Sequence, residues 1–311
     1  MTSLFDTVVG LYHLFGDRVP KNIPLVDPKP HTVNPWRSNG QVLVSRVIAG
    51  RDIRASINRA ITLLGGLGQA IGRGDKVLVK PNFNSADPLP GSTDLVFLRA
   101  ALELLLEAGA KVTIGESSGG IWRPTRNVLR KLGVPELARH LNVEVFAFED
   151  KPDNWVRIKV NGYYLNTVTV PRSAYEADRI VYLPCMKTHK FARFSGALKL
   201  GVGFMHPGER LALHFRNLEQ KVAEINLVWQ PDLIIMDGRK AFVSGGPDKG
   251  ELVEPGVIMA SGDLVAIDVE ALNILASYKA KNRLLPNPYN SPQIVTALRH
   301  NLGSKEYKLV S

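Results

Sequence analysis

Cysteine is almost missing from this chain of 311 residues: Cys185 is the only one. That excludes an intramolecular disulfide and any cysteine-rich zinc or iron–sulfur motif supplied wholly by this chain, so a cluster would need ligands from outside. Aromatic residues make up only 7%. No basic segment alternates with stacking rings beyond Phe191 and Phe194, and no DNA or RNA recognition motif occurs, so nucleic acid is disfavoured as a partner. Neither GxxxxGK[ST] nor GxGxxG is present, which disfavours nucleotide hydrolysis and ordinary dinucleotide binding. The first thirty residues lack a basic start, contain Asp6 and Asp17, and hold no apolar run long enough for a signal peptide or a membrane span. The expectation is a cytoplasmic protein without a membrane partner.

What the chain does have is core material and positive charge. Apolar residues reach 45% and charged residues 22%, enough to bury a sizeable core. Lys and Arg total 39 against 29 Asp and Glu, a net charge of +10. Between Arg179 and Lys221 stand eight Lys or Arg against only Glu209 and Glu219, so more than half of the excess is concentrated there. An anionic partner follows, be it a metabolite or an acidic protein.

Residues 20–40 carry five prolines, and residues 1–39 read as an extended N-terminal arm leading into a single domain over 40–311. From Gly40 on, short β-branched runs alternate with helical patterns, which predicts an α/β fold with a mostly parallel sheet flanked by helices. Leu95, Leu98, Leu102 and Leu105 follow a three-four-three helical rhythm after Thr93-Asp94, an N-cap signal. Around 155–170 an inserted β-hairpin is expected, turning at Asn161-Gly162. A long polar loop should follow the strand Ile180–Leu183, and then one helix past Pro207 with Leu211, Phe215, Leu218, Val222 and Ile225 on its core-facing stripe.

Four predicted strands end in polar loops, and ligands of open α/β sheets sit beyond the carboxyl ends of strands. The loops are Lys80-Pro81-Asn82-Phe83-Asn84, Glu116-Ser117-Ser118-Gly119-Gly120, Cys185-Met186-Lys187-Thr188-His189 and Asp237-Gly238-Arg239. Lys80, Asn82 and Asn84 suit an anion or a carbonyl. The glycine-rich turn around Ser117 and Ser118 offers hydroxyls and backbone N–H groups that can receive a phosphate. Further along, Lys187, Thr188, Ser195, Gly196 and Lys199 supply cationic donors and a close backbone approach. His189 is the acid/base candidate with Glu116 and Asp237 as partner carboxylates. With Asp237, His189 is also the candidate ligand pair for a divalent metal, although the histidine spacing matches no standard metal motif. Cys185 is expected to be a small buried residue.

The segments VLVKPNFN, LLEAGAKVTIGESSGG, KTHKFARFSGALKLGVG, PDLIIMDGRKAF and SGDLVAIDVEAL, in that order from Val77 to Leu275, resemble the uncharacterised family catalogued as domain of unknown function 362. The resemblance implies Lys80, Asn82, Glu116, Lys187, His189, Lys199 and Asp237 as site residues. Some members with this core also carry a ferredoxin-like segment whose cysteines hold iron–sulfur clusters, which implies a redox setting. This chain departs from that pattern, since Cys185 alone cannot hold such a cluster.

Two readings follow. One is an enzyme that binds an anionic substrate or cofactor at the carboxyl ends of the sheet, metal-assisted or not, with redox or group transfer as the family setting implies. The alternative is a non-catalytic protein that docks an acidic ferredoxin-like partner or delivers a cofactor.

Overall fold

The computed structural model describes residues 4–30 and 33–311. Its strands in chain order are β1 (Leu25–Val26), β2 (Arg37–Ser38), β3 (Gln41–Ile48), β4 (Lys76–Pro81), β5 (Lys111–Glu116), β6 (Glu144–Ala147), β7 (Trp155–Lys159), β8 (Thr167–Pro171), β9 (Arg179–Leu183), β10 (Cys185–His189), β11 (Arg193–Ser195), β12 (Leu233–Gly245), β13 (Gly250–Val253), β14 (Val257–Ser261) and β15 (Tyr307–Val310). The main sheet has the path β15-β3-β14-β12-β9-β4-β5-β6. Every neighbouring pair along it is parallel except those made by β14, which runs against both β12 and β3. The expected α/β fold with a mostly parallel sheet is therefore the one found.

Both faces of this sheet are covered, which is why its strands read as continuous apolar runs. Along β4, Val77 and Val79 enter one core and Leu78 the other; β12 divides Leu233 and Ile235 from Ile234 and Met236 in the same way. Helices Ile53–Leu63 and Leu95–Glu107 pack on the first face, and Leu264–Ala276 and Pro292–Arg299 on the second. Aspartates start three of them. Asp52, Asp94 and Asp263 each accept hydrogen bonds from backbone N–H groups of the first turn, which satisfies donors that a helix leaves orphaned.

The connections place the site. From β4 the chain steps through Leu95–Glu107 to β5 and on to β6, and then returns to lay β9 on the other side of β4. The strand order thus reverses between β4 and β9, and a crevice opens at their carboxyl ends, where Pro81 pairs with Leu183.

The hairpin is β7 and β8, paired antiparallel and joined by β1 into a separate three-stranded sheet. The regular ladder ends at Lys159 and Thr167, and the chain reverses later than the Asn161-Gly162 turn expected: Val160 N still bonds the Asn166 carbonyl, and Gly162 N bonds that of Leu165. The buried Glu224 carboxylate accepts from the backbone N–H groups of Tyr163, Tyr164 and Leu165, and so holds a longer loop closed.

Three further expectations change. The stretch after β9 is no polar loop: β10 pairs with β11 and continues alongside β12. The single helix past Pro207 is two, Pro207–Leu213 and Leu218–Glu224, broken at Asn217 with φ of 54°. Val222 and Ile225 enter the core, whereas Leu211 and Phe215 are exposed. The N-terminal arm holds a helix, Leu4–Gly16, that packs on Gly120–Trp122 and on Pro207–Leu213. At Gly10 a Cβ would stand 2.0 Å from the Ile121 carbonyl oxygen, so only glycine permits that approach. Just beyond the helix, Asp17 pairs with Arg123. Among the described residues no helix is long and apolar enough to cross a membrane.

Candidate functional site

A cleft of about 360 Å³ opens at the reversal point. Of the residues singled out in the sequence, Lys80, Asn82, Asn84, Glu116, Ser117 and Lys187 line it, as do His189, Ser195 and Lys199. A larger groove of about 600 Å³ lies at the amino-terminal ends of β4 and β5, beside Lys76 and Lys111, and gathers none of them.

The floor is a set of cations around one carboxylate. Lys80 Nζ lies 2.5 Å from Glu116 Oε1 and donates to the Pro81 carbonyl at 2.7 Å. Glu116 also accepts from Phe83 N and Ser117 N, each at 2.7 Å. Both side chains are 2% exposed, so this is a desolvated ion pair whose remaining lone pairs are met by backbone. Burial lowers the Lys80 pKa from its usual value, and Glu116 opposes that. Gly203 lets the ammonium sit there, for a Cβ at that position would come within 2.6 Å of Lys80 Nζ.

Lys187 is equally buried and donates to the carbonyls of Pro90 and Gly91 at 2.8 and 2.6 Å, with burial lowering its pKa. Arg210 spreads its guanidinium over four carbonyls, those of Met205, Ser117, Ser118 and Gly203, at 2.7–3.0 Å. Burial brings its pKa down to about 10. Neither Lys187 nor Arg210 has a carboxylate within salt-bridge distance among the described residues. Lys199 is half-buried and makes no hydrogen bond or ion pair there; burial, with Lys187 and Arg210 nearby, pushes its ammonium down to about 8. These four cations and one carboxylate line the cleft, with Glu149 acting on Arg210 and Asp87 and Asp248 on Lys187 from outside it, so the lining itself carries an excess positive charge that a ligand anion would neutralise.

Two neutral groups complete the floor. The Ser117 hydroxyl is buried and has no hydrogen-bond partner, an uncommon state for a buried polar atom. His189 Nδ1 accepts from the backbone N–H groups of Phe191 and Ala192, both at 3.1 Å. Its ring proton is therefore on Nε2, and burial together with Lys199 and Lys187 holds the imidazole far below its usual pKa. His189 is thus a neutral hydrogen-bond donor to the cleft. Ligation of a metal through Nε2 would require the proton to move to Nδ1, at the expense of the two backbone N–H groups it accepts from.

Several candidates fall outside the cleft. Asp237 does not reach it, because Arg239 grips the carboxylate through Nε at 3.0 Å and Nη2 at 2.7 Å and links it to Asp94. Ser118 Oγ donates to the Phe83 carbonyl and Thr188 Oγ1 to that of Phe242. Gly196 serves a neighbouring carboxylate: a Cβ would lie 2.2 Å from Asp268 Oδ1, which accepts from Ala197 N at 2.6 Å. The glycine-rich turn has no free amides for a phosphate at Ser117, Ser118 and Gly119, whose N–H groups already bond Glu116, Thr125 and Asn84. Among the described residues no three His, Cys, Asp or Glu converge to hold a metal. His206 caps the helix Pro207–Leu213 and packs on Trp155.

Sequence reasoning missed Arg210, Trp122 and Leu211, and left His214 evenly balanced between a structural and a functional role; all four line the cleft. Arg210 lies on a helix 92–93 residues along the chain from the Ser117 and Ser118 carbonyls it binds, so periodicity carries no sign of it. Its position in the charge-rich stretch was the one available signal.

The model of the family described as domain of unknown function 362 (DUF362) matches residues 77–273. A thylakoid-associated protein of Synechocystis sp., sll1697, is 27% identical over 244 residues, covering 75% of this chain and 73% of that protein. Among solved structures, the lactate racemase apoprotein from Thermoanaerobacterium thermosaccharolyticum aligns with a TM-score of 0.45 at 14% identity, covering 80% of this chain and 61% of that one.

Proposed function

We propose, on the premise that this chain belongs to the DUF362 family, that it is an enzyme acting on an anionic small molecule held in the cleft at the β4/β9 reversal. One observation carries the reading: the four cations of the floor and a single, already neutralised carboxylate line the cleft, and a buried serine hydroxyl in the same lining is without a partner. An anionic oxygen would accept from Lys199, His189 Nε2 and Ser117 Oγ. Those donors would also stabilise negative charge that develops during a reaction, in a site where little water screens them. With a pKa of about 8, Lys199 is the group that can give or take a proton near neutral pH. The redox or group-transfer setting implied by the family resemblance belongs to this proposal and not to the geometry.

Titration calorimetry with inorganic phosphate and with acetate tests it. The expected result is one site per chain, weakened about tenfold or more in Lys199→Met, the loss of one charge-assisted hydrogen bond. A folded wild-type protein that binds neither anion refutes it.

The net charge of +10 favours a second reading, docking of an acidic ferredoxin-like protein. A pull-down at low and high salt checks this, and the absence of a salt-sensitive partner counts against it. Cytoplasmic location is part of the proposal. Since the Synechocystis relative is named as thylakoid-associated, membrane and soluble fractions should both be probed.

A further inference from the structure

Above the cationic floor the walls of the cleft are apolar. Trp122, Phe191, Leu200, Val202 and Leu211 line the same space as Lys199 and Arg210. Part of this wall is left in water: Phe191 is 58% exposed and Leu211 38% exposed; outside the lining, the chain neighbour of His214, Phe215, is 76% exposed. Phe191 and His214 meet edge to face, with ring centroids 6.2 Å apart. The helix Leu4–Gly16 packs against both segments that bear Trp122 and Leu211 and exposes Val8, Leu11 and Tyr12 of its own. Apolar surface continuous with a charged pocket marks a ligand site more often than a bare surface.

A small hydrophilic anion satisfies only the floor and leaves these walls wet. A molecule with an anionic head and an apolar body satisfies both. Resting on the anion-binding reading above, we infer that the ligand of this cleft is an anionic amphiphile. Its carboxylate or phosphate head meets Lys199, His189 Nε2 and Ser117 Oγ, and its apolar body lies along Trp122, Leu211 and Phe191.

The test is calorimetry with acetate, octanoate below its micelle concentration, and octanol. Each methylene taken fully out of water raises affinity about fourfold, so octanoate burying two or three of them binds at least about tenfold more tightly than acetate. Octanol, with the tail and no charge, binds more weakly than octanoate. Leu211→Ser and Phe191→Ser both narrow the octanoate-to-acetate ratio; as exposed residues they are tolerated by the fold. If acetate and octanoate bind equally and both are weakened in Lys199→Met, the anion reading stands and the amphiphile is refuted. Octanol on a par with octanoate also refutes it. If neither anion binds, both readings fall. Flotation with phosphatidylglycerol but not phosphatidylcholine vesicles assigns the amphiphile to a bilayer; octanoate binding without flotation assigns it to a free acid.

Discussion

Replacing Glu116 by glutamine removes the one carboxylate of the cationic floor without changing the shape of the side chain, and its cost can be worked out from the contacts. Lys80 Nζ would keep the Pro81 carbonyl and find at best an uncharged amide oxygen in place of the carboxylate oxygen now 2.5 Å away. In addition, the Gln amide NH2 must face one of the two backbone N–H groups, of Phe83 or Ser117, that the carboxylate now accepts from. Breaking a buried pair on one side typically costs about 3–5 kcal/mol. An independent ceiling comes from leaving Lys80 neutral. Each pH unit below its ordinary value of 10.5 costs about 1.4 kcal/mol, so about 5 kcal/mol at pH 7. At roughly 2 °C per kcal/mol for a domain of this size, Glu116→Gln should melt about 6–10 °C below wild type.

The pH dependence distinguishes this cause from simple misfit. With Glu116 gone, nothing opposes the desolvation that lowers the Lys80 pKa. Between that lowered value and 10.5 the folded state binds fewer protons than the unfolded chain, so stability rises with pH across the window. The deficit of Glu116→Gln should therefore shrink from pH 7 toward pH 10, and the double variant with Lys80→Met should be more stable at pH 7 than Glu116→Gln alone. Thermal and urea melts from pH 7 to pH 10 measure all three quantities. A deficit below about 1 kcal/mol, or one independent of pH, would show that the pair is solvated and that the floor carries no desolvated charge.

Three other perturbations probe neighbouring parts of the cleft. Because Lys199 titrates at about 8 and must be charged to hold an anion, the affinity for acetate, whose own charge is constant above about pH 6, should be level from about pH 6 to pH 8 and fall by up to about tenfold per pH unit above it. Calorimetry in buffers of different ionisation enthalpy should then detect proton uptake on binding, absent in Lys199→Met. Gly203→Ala would place a methyl 2.6 Å from Lys80 Nζ and 3.2 Å from Glu116 Oε1, forcing the pair apart at about 1–3 kcal/mol; an unchanged melting temperature would mean that the ammonium is free to move. Ser117→Ala deletes a buried hydroxyl with no partner, so the ligand-free protein should melt no lower than wild type, while anion binding, read by the same calorimetry, weakens several-fold.

Legibility in the sequence followed the range of the interactions involved. The strands β4, β5, β9 and β12, and the N-cap at Asp94, depend on neighbours within a few residues, and the sequence pattern locates them. The convergence of Lys80, Glu116, Lys187, His189 and Lys199 on one cleft followed from the rule that parallel strands present their carboxyl ends together. The same rule misplaced Asp237, because it assumes that a strand stops where its apolar run stops. β12 instead continues to Gly245 as partner of β10 and β13. Arg239 can then fold back on Asp237 inside a strand, and the residue becomes a fixed anchor for a guanidinium.

Hydrogen-bond capacity was the other hidden variable. The turn Gly115–Gly120 has the composition of a phosphate cradle, yet Glu116, Thr125 and Asn84 take up three of its amides, and Ser117 and Ser118 turn their carbonyls to Arg210. His189 stands in a post-strand loop by sequence, yet two backbone N–H groups decide its tautomer. A residue type marks where chemistry can occur, but which of its atoms remain unspent is set by groups far along the chain. In this cleft the unspent atoms include the Lys199 ammonium, His189 Nε2 and the Ser117 hydroxyl, so a ligand is recognised chiefly by donors the fold has left without partners.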